Sequence, residues 1–144
     1  TAERLAKLGN IDSIKDAAGN LEQTWDQLAR GVGVLSGDDG LAFPMMALGA
    51  RGVISVVGNF APRLLRDMCD AAAAGNLITA RKHHGAVVEL AKHAFADTNP
   101  IPVKAAVAAL GFCREEYRLP LVGPQPAKRE ALLACMRKHG LMPQ

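Results

Sequence analysis

Aromatic residues are scarce in this sequence, with one Trp, one Tyr and four Phe among 144 residues. The basic residues are interspersed with acidic ones, and the formal net charge is only +3. Without a basic stripe interleaved with aromatics, the chain lacks the usual footprint of a nucleic-acid binder. No apolar run approaches the roughly 20 residues that cross a bilayer, and no basic-then-apolar leader pattern opens the chain. A soluble, cytoplasmic protein with no membrane partner is the expectation. The three cysteines, Cys69, Cys113 and Cys135, are widely spaced and include no C-x-x-C pair. They read as reduced structural thiols rather than a disulfide framework or a zinc site. Neither a metal nor a cofactor is expected.

Nearly half of the residues are apolar, enough to bury a core. Residues 1–8 have helical periodicity but no initiator methionine and no convincing N-cap, so the pattern reads as starting mid-element. Gly9 and Asn10 end it. Three short apolar runs follow at a constant interval: residues 11–14 leading into Lys15, 32–35 leading into Ser36, and 53–56 leading into Val57. A turn rich in Gly, Asn or Asp follows each run, and then a helical pattern, the βαβα order of a parallel sheet. Asn20 is placed to cap the first helix, with Gln23 three residues on. Gly37, Asp38, Asp39 and Gly40 open the second helix, and Pro62 suits the first turn of the third. Beyond Gly75 the strand signal stops. Helical patterns over residues 77–96, 103–110 and 127–139 are separated by proline-rich segments at 97–102 and 117–126, and Gly140 closes the last.

The expected architecture is therefore α/β. Residues 1–75 form the last three strand-helix units of a parallel βα (TIM) barrel, and residues 76–144 form a helical C-terminal domain. Three parallel strands cannot cover both of their own faces. The uncovered inner face is the one that further strands fill in a closed eight-stranded barrel, which makes the chain a piece of a larger barrel.

Lys15 is the most informative residue. A strand delivers its amine to the end of an apolar run, just before the small-residue turn Ala17, Ala18 and Gly19. One reading is a lysine whose stem lies on apolar surface while its head reaches water. The other is a nucleophile that attacks a carbonyl to form a Schiff base, and spacing alone leaves both open. Other features have structural readings. Asp38 and Asp39 suit a turn and a helix N-cap at Asp39, since no histidine or third carboxylate is spaced to make them a metal or acid/base pair. His83 and His84 point about 100° apart on a helix and read as a solvated face. His93 and His139 suit helix C-terminal ends, and Met45, Met46 and Met68 suit the core. Lys128, Arg129, Arg137 and Lys138 read as a solvated helix face.

Five segments in sequence order resemble the dihydrodipicolinate synthases, within the pyruvate-dependent class I aldolases: IKDAAGN at 14–20, LSGDD at 35–39, GVISVVGNFAPRL at 52–64, NPIPVK at 99–104 and RLPLV at 118–122. The resemblance covers essentially the whole chain and corresponds to the C-terminal half of the family's sequence. It implies that Lys15 is the Schiff-base lysine, condensing with pyruvate to an enamine that attacks aspartate semialdehyde. It also implies that the Ile54 backbone carbonyl faces the pyruvate-derived group and that Gly37 and Asp38 line the semialdehyde side. The family's proton-relay tyrosines and threonine, its carboxylate-binding arginine, its pyruvate-carboxylate site and its lysine-feedback site all lie upstream of the stretch resembled, and Tyr117 matches none of them. The isolated chain is therefore expected to need an N-terminal half from another polypeptide, and a homo-oligomer is expected. A sister aldolase of the N-acetylneuraminate lyase or 2-keto-3-deoxy sugar-acid type, or a non-catalytic assembly module, is the alternative.

Overall fold

A computed structural model describes residues 1–143. After a short helix α1 (Ala2–Ala6), strand β1 (Ser13–Asp16), helix α2 (Leu21–Ala29), strand β2 (Gly33–Ser36) and helix α3 (Ala42–Leu48) follow in order. The strands pair in parallel, Ser13 opposite Gly33 through Asp16 opposite Ser36. β1 therefore starts two residues later than the apolar run and extends past Lys15. The register explains the shift. Ile11 would face Gly31, whose φ of 75° is left-handed and ends α2 rather than continuing a strand.

The third expected strand, residues 53–56, does not form, and this corrects the three-strand reading. Only Val53 pairs, in a single parallel bridge to Ser36 flanked by Ser36 N–H to Gly52 O and Ile54 N–H to Ser36 O, both 2.8 Å. Val56 is already helical in conformation and a 3-10 turn, Val57–Asn59, follows. The backbone N–H groups of Val56 and Val57 donate to the Asp39 carboxylate, at 2.9 and 3.3 Å, instead of to a neighbouring strand.

Helices α4 (Pro62–Ala73), α5 (Leu77–Ala94), α6 (Ile101–Ala109) and α7 (Pro126–Lys138) complete the chain. Pro102 and Pro126 sit in the first turns of α6 and α7, where no backbone donor is required. This is why both helices begin inside segments expected to be loops. Asn20 caps α2 by accepting from Glu22 and Gln23 N–H, and Asn76 caps α5 by accepting from Thr79 N–H.

Side chains alternate across the strands. Ile14 and Val34 point toward the helices, where Val34, Met45 and Ala50 form a small core with Leu28 and Leu41. The larger core gathers Val57, Phe60, Leu65 and Met68 with Val87, Leu90 and Ala94 of α5 and Leu132 and Met136 of α7. It runs without interruption across residue 75. On the other side of the sheet Lys15 is exposed, and the β1 edge away from β2 has no strand partner among the described residues.

His84 corrects the reading of a fully solvated pair. It is half-buried beside the Phe43 ring, with centroids 5.6 Å apart, and burial holds its pKa below the usual imidazole value. Tyr117, the only tyrosine, donates its hydroxyl to Ile101 O at 3.1 Å. Desolvation first, then the Glu115 carboxylate, pushes its pKa up to about 12. Because the folded value is the raised one, the neutral phenol contributes stability that is full below the unfolded value of about 10 and is lost as pH rises toward the folded one. Phenolate absorbance is expected to titrate about two units higher in the folded chain than in urea. Coincident titration curves would remove this contribution.

Candidate active site

The C-terminal ends of β1 and β2 are built around buried polar groups. Among the described residues the buried polar ones are Asp16, Thr24, Ser36 and Asp39, and all four are hydrogen-bonded. Asp16 accepts from Ala18 N–H at 2.9 Å, closing the turn after β1, and from the Thr24 hydroxyl at 3.0 Å, tying that turn to α2. Its neighbour Lys15 points to the opposite, open face. Asp39 reaches across to the third segment, where it accepts from the Ser55 hydroxyl and from Val56 and Val57 N–H. The Ser55 hydroxyl oxygen also accepts from Gly58 N–H at 2.7 Å. One buried carboxylate thus fixes each of two loops at the rim where barrel enzymes place their chemistry.

Gly37 meets Lys15 directly. A Cβ there would lie 3.0 Å from Lys15 Cε and 2.7 Å from Ala17 Cβ, so the missing side chain makes the space through which the lysine stem passes. Gly37 N–H donates to Asp16 O at 2.7 Å, extending the strand ladder into the loop. The expected N-cap at Asp39 is instead Asp38, whose carboxylate accepts from Gly40 N–H at 2.7 Å. Asp39 is withdrawn into the interior by its three donors. Ile54 is 46% exposed, and its carbonyl oxygen accepts no hydrogen bond among the described residues.

A cavity of about 440 Å³ opens over these loops. Gly37 and Asp38 line it, together with Ala17, and its other wall comes from Val88, Ala91 and Lys92 of α5 and from Phe95, the residue that follows the helix. Lys15 and Ile54 lie outside that lining. The structure therefore joins Lys15 to Gly37, and Gly37 and Asp38 to a wall of α5 that spacing could not assign to the site. Asp16 and Asp39 were likewise missed as positioning groups. The only sequence signal for Asp16 is its place between the lysine and a small-residue turn.

Residues 1–139 match the Dihydrodipicolinate synthetase family. The chain belongs to that family. It is 43% identical to the 4-hydroxy-tetrahydrodipicolinate synthase of Pelobacter propionicus over 99% of this chain and 50% of the relative. It is 46% identical to that of Thiobacillus denitrificans over 99% and 49%. The crystal structure of dihydrodipicolinate synthase from Aquifex aeolicus superposes with a TM-score of 0.91 at 40% identity, over 96% of this chain and 49% of that one. The Thermotoga maritima enzyme superposes with a TM-score of 0.91 at 38% identity, over 98% and 50%. The chain spans about half the length of the synthases it matches, and corresponds to their C-terminal half. No helix among the described residues is long and apolar enough to cross a membrane.

Proposed function

We propose that the chain carries the nucleophile-bearing half of a 4-hydroxy-tetrahydrodipicolinate synthase, with Lys15 as the Schiff-base residue. The observation that carries the reading is the placement of Lys15 on the open face of β1, over the gap left by Gly37. In the proposed reaction the Lys15 amine adds to the ketone carbon of pyruvate and water leaves, giving an iminium ion. Loss of a methyl proton yields an enamine, whose carbon attacks the aldehyde of aspartate semialdehyde. The semialdehyde amine then displaces Lys15 as the ring closes. Gly37 and Asp38 line the semialdehyde side, and the Ile54 carbonyl faces the pyruvate-derived group. No cofactor is needed, since the imine itself is the electron sink.

The same reading treats residues 1–75 as the last part of a TIM barrel, residues 76–144 as its helical extension, and the assembled enzyme as a cytoplasmic homo-oligomer. Exposure of Lys15 and the unpaired β1 edge support a second half that closes the barrel and excludes water from the amine. Such exclusion is what a barrel interior provides and what an open face cannot. The test is to combine this chain with a separately produced N-terminal half of a family synthase and assay condensation. Activity is expected in the mixture and at most a trace in the chain alone. Full activity of the chain alone would refute the division of labour, and a folded but inert mixture would refute the assigned reaction.

A further inference from the structure

Away from the strand rim, Glu89, Cys135 and His139 converge where α5 passes the C-terminal end of α7. Cys135 and His139 are four residues apart, so their side chains leave the same face of α7, and Glu89 arrives from α5. Their ligand atoms all lie within 4.8 Å of one another. Cys135 is buried, and Glu89 and His139 are half-buried. His139 is the C-cap residue, and its N–H donates to Cys135 O at 3.1 Å, so the helix end fixes both side chains. The two carboxylate oxygens of Glu89 have separate partners. Oε2 faces His139 Nε2 at 2.9 Å, while Oε1 accepts from Lys138 Nζ at 2.5 Å.

We propose that Glu89, Cys135 and His139 form a zinc-binding site that clamps α7 to α5. Tetrahedral zinc, with bonds of about 2.0–2.3 Å, holds its ligand atoms about 3.3–3.8 Å apart. Occupancy thus needs the Glu89–His139 pair to open slightly and the thiol to draw in, by up to about 1–1.5 Å. Side-chain torsions supply movements of that size. The donor set is selective: thiolate and imidazole suit zinc and disfavour magnesium and calcium. The carboxylate and thiolate together balance the charge of the ion, and water takes the fourth position. Binding changes no oxidation state. The Cys135 thiol releases its proton to solvent as the sulfur–metal bond forms, and the Glu89–His139 hydrogen bond is replaced by two metal bonds. Lys138 stays on Oε1 and orients the carboxylate from outside. Cysteine spacing does not reveal such a site, because it uses one cysteine and takes its third ligand from another helix.

Cobalt(II) is the probe. The reduced, metal-free chain is expected to bind one equivalent and to develop a sulfur-to-cobalt charge-transfer band in the near ultraviolet, which zinc(II) then bleaches. Cys135→Ser should lose the band, whereas Cys113→Ser, at an exposed thiol, should keep it. Glu89→Gln and His139→Gln should each weaken binding by about tenfold or more with the thiol intact. Zinc should also slow iodoacetamide labelling of the Cys135 peptide and leave that of Cys113 unchanged, a readout that does not depend on how the chain assembles. Absence of saturable one-to-one binding, persistence of the band in Cys135→Ser, or zinc-independent labelling of Cys135 would overturn the site.

Discussion

Lys15→Ala is expected to abolish the pyruvate adduct trapped by borohydride when this chain is combined with an N-terminal half of the barrel. The mass gain should appear on the Lys15 peptide of the unmodified chain and nowhere on the variant. Lys15→Arg should behave as the alanine variant does, because a guanidinium keeps the charge but cannot form the imine. Neither change should disturb the fold. Lys15 is exposed, and surface substitutions away from special backbone or buried partners usually shift stability by no more than about 0.5 kcal/mol. Gly37→Ala separates position from identity. It leaves the amine in place chemically, but its Cβ would press on Lys15 Cε and on Ala17 Cβ. A displacement near 1 Å at a reacting atom costs about 100-fold in rate, so trapping should slow by about that factor. An adduct of undiminished yield in Lys15→Ala would move the nucleophile to another amine, and Lys92 on the cavity wall is the first to check.

The parts of the chain readable from sequence are those decided by local chemistry. Asn20 as a cap follows from a side chain that satisfies nearby backbone, Pro62 in a first helical turn from a residue with no N–H to satisfy, and the long helix after Asn76 from its own apolar periodicity. The parts that were not readable are decided by partners distant in sequence. The run at 53–56 has the composition of a strand, yet its N–H groups are taken by Asp39, which no pattern links to Val56 and Val57. For the same reason Asp39 looked like a cap. A carboxylate in an Asp-Asp turn serves its own helix unless a buried set of donors lies opposite, and only the folded chain brings those donors close. At the site, strand periodicity put Lys15 at the C-terminal end of β1 but left its role open, and only the resemblance pointed to Lys15 and Gly37 as site residues. The α5 wall was not legible, since Lys92 and Phe95 belong to a helix assigned to a separate domain.

Asp39→Ala should be the most destabilising single substitution at the rim. Asp39 is 1% exposed and gathers the Ser55 hydroxyl and the N–H groups of Val56 and Val57. Truncation removes the acceptor and leaves these donors facing a small void. Only the Val57 N–H is fully buried, and Ser55 and Val56 are half-buried; a buried donor left without a partner costs about 1–3 kcal/mol, so a loss of about 2–3 kcal/mol is expected. That is a large fraction of the roughly 5–15 kcal/mol that holds an ordinary domain together. Urea denaturation followed by circular dichroism measures it directly. Asp39→Asn is the control: it retains one acceptor oxygen and should lose less, whereas an equal loss would mean that the charge rather than the acceptor count matters. The consequence for the site follows from geometry. Ser55 and Val56 directly follow Ile54, so releasing them from Asp39 frees the Ile54 carbonyl to rotate away from the orientation proposed for it. Asp39→Asn, still folded, should therefore trap pyruvate more slowly than the unmodified chain in the reconstituted barrel. Unchanged trapping in a measurably destabilised Asp39→Asn would confine Asp39 to holding the loops together and remove it from any role in orienting Ile54.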